Sequence, residues 1–149
     1  CIRDSIKTGL NNVSNNTGLQ GRWQVIQRKP MIICDTAHNE AALREVISQL
    51  MDMEYSDLHF IIGFSNDKNL KKISKIFPED SKYYFVQSKV GRARDAKDVR
   101  DIFKLNNRCG DYYKSIENTI KYVKGVSKEN DIIFIGGSTF VVSEIFDKN

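Results

Sequence analysis

The sequence predicts an α/β fold: a three-layer, Rossmann-like sheet of about six strands, mostly parallel, with helices on both faces. From residue 31 onward, short unbroken apolar runs alternate with segments of helical periodicity. Strands apolar on both sides belong in a parallel sheet covered on both faces. The one exception is the pair "WQVIQ" (23–27) and "MIICD" (31–35), separated only by Arg28, Lys29 and Pro30. So short a gap admits a hairpin but no crossover helix, so 23–27 is expected as an antiparallel edge strand.

The elements follow in order. Ile2, Ile6 and Leu10 mark an N-terminal helix, so the chain starts inside a helix and is expected to be part of a longer protein. Residues 11–21, "NNVSNNTGLQG", are polar and read as a loop. After the hairpin, a helix is expected from about Asn39 to Met53, with Leu43, Val46, Ile47 and Leu50 on one face. "LHFIIGF" (58–64) is a strand, and Leu70, Ile73 and Phe77 mark a helix stopped by Pro78. "KYYFVQS" (82–88) is the next strand, followed by a helix carrying Val99, Ile102 and Phe103 and a short strand at 109–113. Ser115 can cap a helix with Ile116, Ile120 and Val123 inward. "DIIFIGG" (131–137) is the last strand, and Val141, Val142, Ile145 and Phe146 line the last helix. Residues 1–149 thus read as one domain, long enough to bury a core.

Composition narrows the function classes. The chain is 40% hydrophobic and 28% charged, which is globular rather than disordered. Its 23 Lys and Arg against 19 Asp and Glu give a net charge of +4, spread without a long basic block. That balance suits a small anionic ligand and argues against a nucleic-acid groove. No apolar run approaches the ~18 residues needed to span a bilayer, and there is no secretory signal. Cys1, Cys34 and Cys109 show no CxxC spacing, so no structural disulfide and a reducing, cytoplasmic setting are expected.

Right-handed crossovers put every strand-to-helix loop on one edge of a parallel sheet, where ligands of such folds bind. Four loops pass this filter: Asp35, His38 and Asn39; Ser65, Asn66, Asp67 and Lys68; Lys89, Arg92 and Arg94; Gly136, Gly137 and Ser138. Asp35 is the hardest to dismiss, because a carboxylate ending a buried strand is costly unless paired or used. Gly136 and Gly137 let backbone approach a ligand, and Ser138 opens a helix whose free N–H groups favour an anion. A tight turn with an N-cap serine explains "GGS" equally well. His38 alone reads as a surface histidine, Asp67–Lys68 as a solvated helix start, and Arg92 and Arg94 as solvated cations. Asp35 and His38 are not a metal set, for want of further ligands at recognisable spacing. His59 lies inside a strand and reads as structural. The chain has no nucleophile elbow, Walker loop or GxGxxG, so it is not equipped to hold a triphosphate alone.

Taken together, these motifs resemble a known family. "GRWQVIQRKPMIICDTAHNEAAL" is similar to the start of the C-terminal domain of bifunctional folylpolyglutamate synthase/dihydrofolate synthase, within the Mur ligase superfamily. Gly21, Arg22 and Trp23 match its P-G-R-aromatic, and Asp35, Ala37, His38 and Asn39 match its D-G-A-H-N-P. Gly63, Asp67 and Lys68 match its G-x-x-x-D-K-D, Arg92, Ala93 and Ala96 its P-R-A-x-x-A, and Gly137, Ser138 and Glu144 its closing G-S-L-Y-x-x-G-E. The chain departs at Thr36 for glycine, Glu40 for proline, Gln24 for an acid and Asn69 for the second acid.

The resemblance implies an ATP-dependent amide ligase that adds L-glutamate to dihydropteroate or folate through an acyl phosphate. It implies that ATP and Mg2+ are held mainly by an N-terminal ATP-binding domain outside this chain, with this fragment inactive alone. By resemblance, Asp35 would accept from the ATP ribose and Arg22 would reach the phosphates across the cleft. His38 would sit by the acyl phosphate and incoming glutamate, and Ser138 would hold a glutamate carboxylate. Lys68 and Arg92 are further anion contacts, and no metal ligand is assigned. A monomer, with no nucleic-acid or membrane partner, is expected. The competing readings are another Mur-type amino-acid ligase, whose pattern is usually D-Y-A-H, and a non-catalytic doubly wound binding domain. A receiver-like domain would need an acid cluster at the strand ends, which is not there.

Overall fold

The computed structural model describes residues 23–89, 91 and 93–146, and the backbone alone of Phe146. The expected N-terminal helix and the 11–21 loop lie outside the described residues, as do Arg22 and Arg92. Six strands form one sheet: β1 (Gln24–Arg28), β2 (Met31–Asp35), β3 (Leu58–Ile62), β4 (Lys82–Phe85), β5 (Gly110–Tyr112) and β6 (Ile132–Gly136). Five helices connect or follow them: α1 (Glu40–Met51), α2 (Leu70–Ser74), α3 (Ala96–Leu105), α4 (Ile116–Val126) and α5 (Thr139–Phe146).

The sheet order is β1-β2-β6-β3-β4-β5. As the short 28–30 gap requires, β1 pairs antiparallel with β2 and is an edge strand, and every other pairing is parallel. A register shift between Val25 and Gln27 makes a bulge at the edge, a device that discourages pairing with another chain.

Alternation along the strands divides the core in two. Ile33, Phe60, Ile62, Phe85 and Phe134 point to the face covered by α1, α2 and α3, through Leu43, Ile47, Ile73 and Phe103. Ile32, Cys34, Ile61, Ile133 and Ile135 point to the face covered by α4 and α5, through Val123, Val141 and Val142. All five residues of β3 and of β6 are buried, which is why these segments read as unbroken apolar runs.

Elements end earlier than periodicity suggests. Strand β3 ends at Ile62, one last ladder bond from the Gly63 N–H to the Gly136 carbonyl closing its pairing with β6 before the chain enters a loop. Helix α2 is expected to run to Phe77 but closes after Ser74, through tight N–H bonds from Lys75 to Lys72 and from Ile76 to Ile73.

Candidate functional site

Asp35 ends β2 with 8% of its surface exposed. Its carboxylate holds the strand-to-helix turn closed: Oδ2 accepts the Trp23 N–H at 2.9 Å and Oδ1 accepts the Ala37 N–H at 2.7 Å. The cost of burying this charge is offset by oriented donors. Two residues on, His38 is exposed, and its Nδ1 lies 3.2 Å from the Thr36 carbonyl. A carbonyl only accepts, so Nδ1 carries the proton in this bond and Nε2 is left to face outward. Asn39 then caps α1, its Oδ1 accepting the Ala42 N–H at 2.9 Å.

The neighbouring loops are fixed by equally local devices. Ser65 Oγ donates to Asp67 Oδ1 at 2.7 Å, and Ser65 pairs with Ala93 in an isolated bridge. Asn69, which departs from the resembled pattern, caps α2 by accepting the Lys72 N–H. At the end of β6 a Cβ on Gly136 would stand 2.6 Å from the Asp35 carbonyl oxygen, so only glycine lets the two strand ends run this close. Gly137 has φ +93, and a Cβ there would stand 2.7 Å from the Gly63 carbonyl oxygen. Ser138, 4% exposed, caps α5: its Oγ accepts the Phe140 N–H at 3.0 Å. The hydroxyl can still donate.

These loops shape two cavities that meet at one side chain. The larger, about 510 Å³, is lined by His38, Asn66, Asp67, Lys68, Ser138 and Phe140 among others. It combines a lysine, a histidine and the first turn of α5, a set suited to an oxyanion, with the Asp67 carboxylate, which accepts from Ser65 Oγ, also in its wall. The smaller, about 250 Å³, lies between Trp23 and the outer stripe of α1, with Asp35 and Thr36 in its wall. His38 lines both.

Other groups nearby are chemically quiet. Burial, aided by the adjacent Asp35 carboxylate, pushes the Cys34 thiol up to about 12, so it stays protonated and is no nucleophile. Among the described residues no group of three or more His, Cys, Asp or Glu could hold a metal ion.

A family model for the Mur ligase, glutamate ligase domain, matches residues 21–139. The chain belongs to the Mur ligase family. Two curated relatives of this Mur ligase domain are a probable bifunctional folylpolyglutamate synthase/dihydropteroate synthase of Haloferax volcanii and a dihydrofolate synthase/folylpolyglutamate synthase of Buchnera aphidicola subsp. Schizaphis graminum. The Haloferax protein is 25% identical over 142 residues, covering 95% of this chain and 16% of its own length. The Buchnera protein is 30% identical over 130 residues, covering 85% of this chain and 30% of its own length. The domain therefore spans less than a third of either relative. Its fold is shared with a solved bifunctional folylpolyglutamate synthase/dihydrofolate synthase holding Mn, AMPPNP and L-glutamate. The TM-score is 0.78 at 19% identity, over 87% of this chain and 31% of that one.

Of the residues singled out in the sequence, the Mur ligase domain brings His38, Lys68 and Ser138 to the larger cavity and Asp35 to the smaller one. Arg94 is half-buried, its N–H bound to the Phe64 carbonyl. His59 is at the opposite end of the strands, 1% exposed, between Asp131 Oδ2 at 2.8 Å and the Tyr84 hydroxyl at 3.2 Å, a structural position. The loop filter did not reach Phe140, Glu45 or Gln49, which lie past the strand ends. The spacing 42, 45, 46, 49 on α1 marks one helical stripe and could have found the last two.

Proposed function

We propose that this chain is the C-terminal domain of an ATP-dependent amide ligase that adds L-glutamate to a dihydropteroate or folate carboxylate. One observation carries the reading: His38 borders both an acidic, aromatic-walled cavity and an oxyanion-type cavity. A reaction that passes a phosphoryl group to a carboxylate and then admits an amine needs nucleotide and amino acid on either side of one point.

In this scheme the γ-phosphoryl group of ATP moves to the acceptor carboxylate and ADP leaves. Glutamate's amine attacks the acyl carbon, inorganic phosphate departs, and the amine gives up a proton as the amide forms. Asp35 accepts from the ribose hydroxyls, since each carboxylate oxygen takes more than one hydrogen bond. His38 Nε2 faces the acyl phosphate and the incoming amine. Ser138 and the α5 N-terminus hold a glutamate carboxylate, with Lys68 adding charge. Arg22 and Arg92, outside the described residues, are assigned to the phosphates and to a further anion contact. Mg2+ and most of the triphosphate are assigned to an N-terminal domain of the same protein, since the chain spans less than a third of its curated relatives. We place the whole protein in the cytoplasm as a monomer. Among the described residues no helix is long and apolar enough to cross a membrane.

The test is a ligase assay on the full-length protein, with ATP and labelled glutamate, offering dihydropteroate and tetrahydrofolate separately. ATP-dependent incorporation into either acceptor is expected; none into both sinks the reading. Within that assay Arg22→Ala lowers turnover by roughly tenfold or more, because it removes a charge that acts in the transition state. Unchanged turnover removes Arg22 from the mechanism.

A further inference from the structure

We infer that Glu144 is a positioning residue: its carboxylate ties the loop after β4 to α5 and so fixes two walls of the larger cavity against each other. The inference deepens the ligase reading and rests on it for what that cavity holds.

The loop has few other fixings. It leaves β4 with the Val86 N–H bonded to the Ile62 carbonyl and with Gln87 Oε1 accepting the Ala96 N–H. It returns with Ala93 bridged to Ser65 and the Arg94 N–H bonded to the Phe64 carbonyl. Between these points Gly91 lines the larger cavity. Among the described residues, Ser88, Lys89 and Gly91 share a single hydrogen bond, from the Lys89 N–H to Glu144 Oε1 at 2.7 Å. Ser88 adds no hold of its own: it is buried, and its Oγ has no partner among the described residues.

The other end of the tie sits on a fixed element. Val141 and Val142, each 1% exposed, bury α5 against the second face of the sheet. Ser138 caps the same helix and lines the larger cavity with Thr139 and Phe140. Glu144 follows Ser138 by six residues, about 9 Å along the axis at ~1.5 Å per residue. One helix therefore carries a cavity wall at its start and the anchor of the facing loop near its end. A carboxylate accepting a backbone N–H at this length is a charge-assisted bond of the stronger kind. Glu144 forms no ion pair with Lys121, which pairs with Glu117, or with Lys124, although both border a groove with it. Its work is with the backbone. Gly91 lines the same cavity as Ser138 and Lys68, so slackening the tie loosens the amino-acid site and leaves Asp35, in the smaller cavity, untouched.

The test separates the reach of the side chain from its charge. In the ligase assay on the full-length protein, Glu144→Asp keeps the charge but shortens the reach by one methylene. Glu144→Gln loses the charge but keeps the reach and an accepting oxygen. Glu144→Asp and Glu144→Ala should raise the KM for L-glutamate about tenfold, with kcat and the KM for ATP within about twofold of the parent. Glu144→Gln should stay near the parent. An unchanged glutamate KM in Glu144→Asp, a Glu144→Gln as impaired as Glu144→Asp, or an equal loss of kcat in all three variants overturns the proposal. If Glu144→Ala does not fold, the Asp and Gln variants decide alone. Hydrogen exchange of the segment carrying Lys89, read by mass spectrometry, is independent of catalysis: it should quicken in Glu144→Asp and not in Glu144→Gln. Quickened exchange in a protein without ligase activity supports the tie and refutes the ligase; an active ligase whose glutamate KM ignores Glu144→Asp does the reverse.

Discussion

Asp35 illustrates how a single side chain can be both scaffold and instrument. Its two oxygens fix Trp23 and Ala37, so Asp35→Ala strands two backbone donors in a buried turn. The expected destabilisation is about 2 kcal/mol, read as a lower urea midpoint with an unchanged slope. The cost of this carboxylate was legible in the sequence, because a charged residue closing an apolar strand demands a reason. Its local partners were not, since nothing in the spacing says that Trp23 returns to it across the hairpin. Asn69 teaches the complementary lesson. As a departure from the resembled acid it had no assigned role, yet it is an N-cap, a role that suits asparagine as well as an acid.

At the level of elements, capping residues and glycines position the rim more than side-chain burial does. Asn39→Ala should cost about 1 kcal/mol in chemical denaturation, because the Ala42 N–H loses its acceptor at the turn that presents His38. Periodicity revealed all the helices that are described, and strand runs revealed all six strands. Their ends were less legible, since α2 closes in a tight turn that periodicity does not mark, and β3 leaves the sheet just after its last ladder bond, from Gly63 to Gly136. The far ends of the strands have their own anchor. Asp131 accepts from His59 and from the Lys128 and Asp57 N–H groups. Burial raises its pKa, but these hydrogen bonds outweigh that and hold it below the ordinary carboxylate value. A depressed carboxylate contributes stability above its unfolded pKa and loses it as pH falls through the folded one. Asp131→Asn should therefore lower the melting temperature at neutral pH, and its deficit against the parent should shrink below about pH 4. A deficit constant with pH would mean that the anchor is not acting through its charge.

Across the whole molecule, recognition and anchoring occupy opposite rims. The cavities cluster where β2, β3 and β6 end, and the His59–Asp131 pair sits where β3 and β6 begin. The sequence made the rim itself legible, because unbroken apolar strands alternating with helices leave one edge for ligands. It did not reveal the strand order, which depends on the crossover from β5 back to β6 through α4 on the second face.

That return has a consequence for the order of synthesis. β6, last in sequence among the described strands, is the keystone between β2 and β3. Until residues 132–136 have left the ribosome, the β1–β2 hairpin and the β3–β4–β5 half share no backbone ladder, and each half shows an open edge. Within this domain the two halves can therefore join into one sheet only when residues 132–136 are in place.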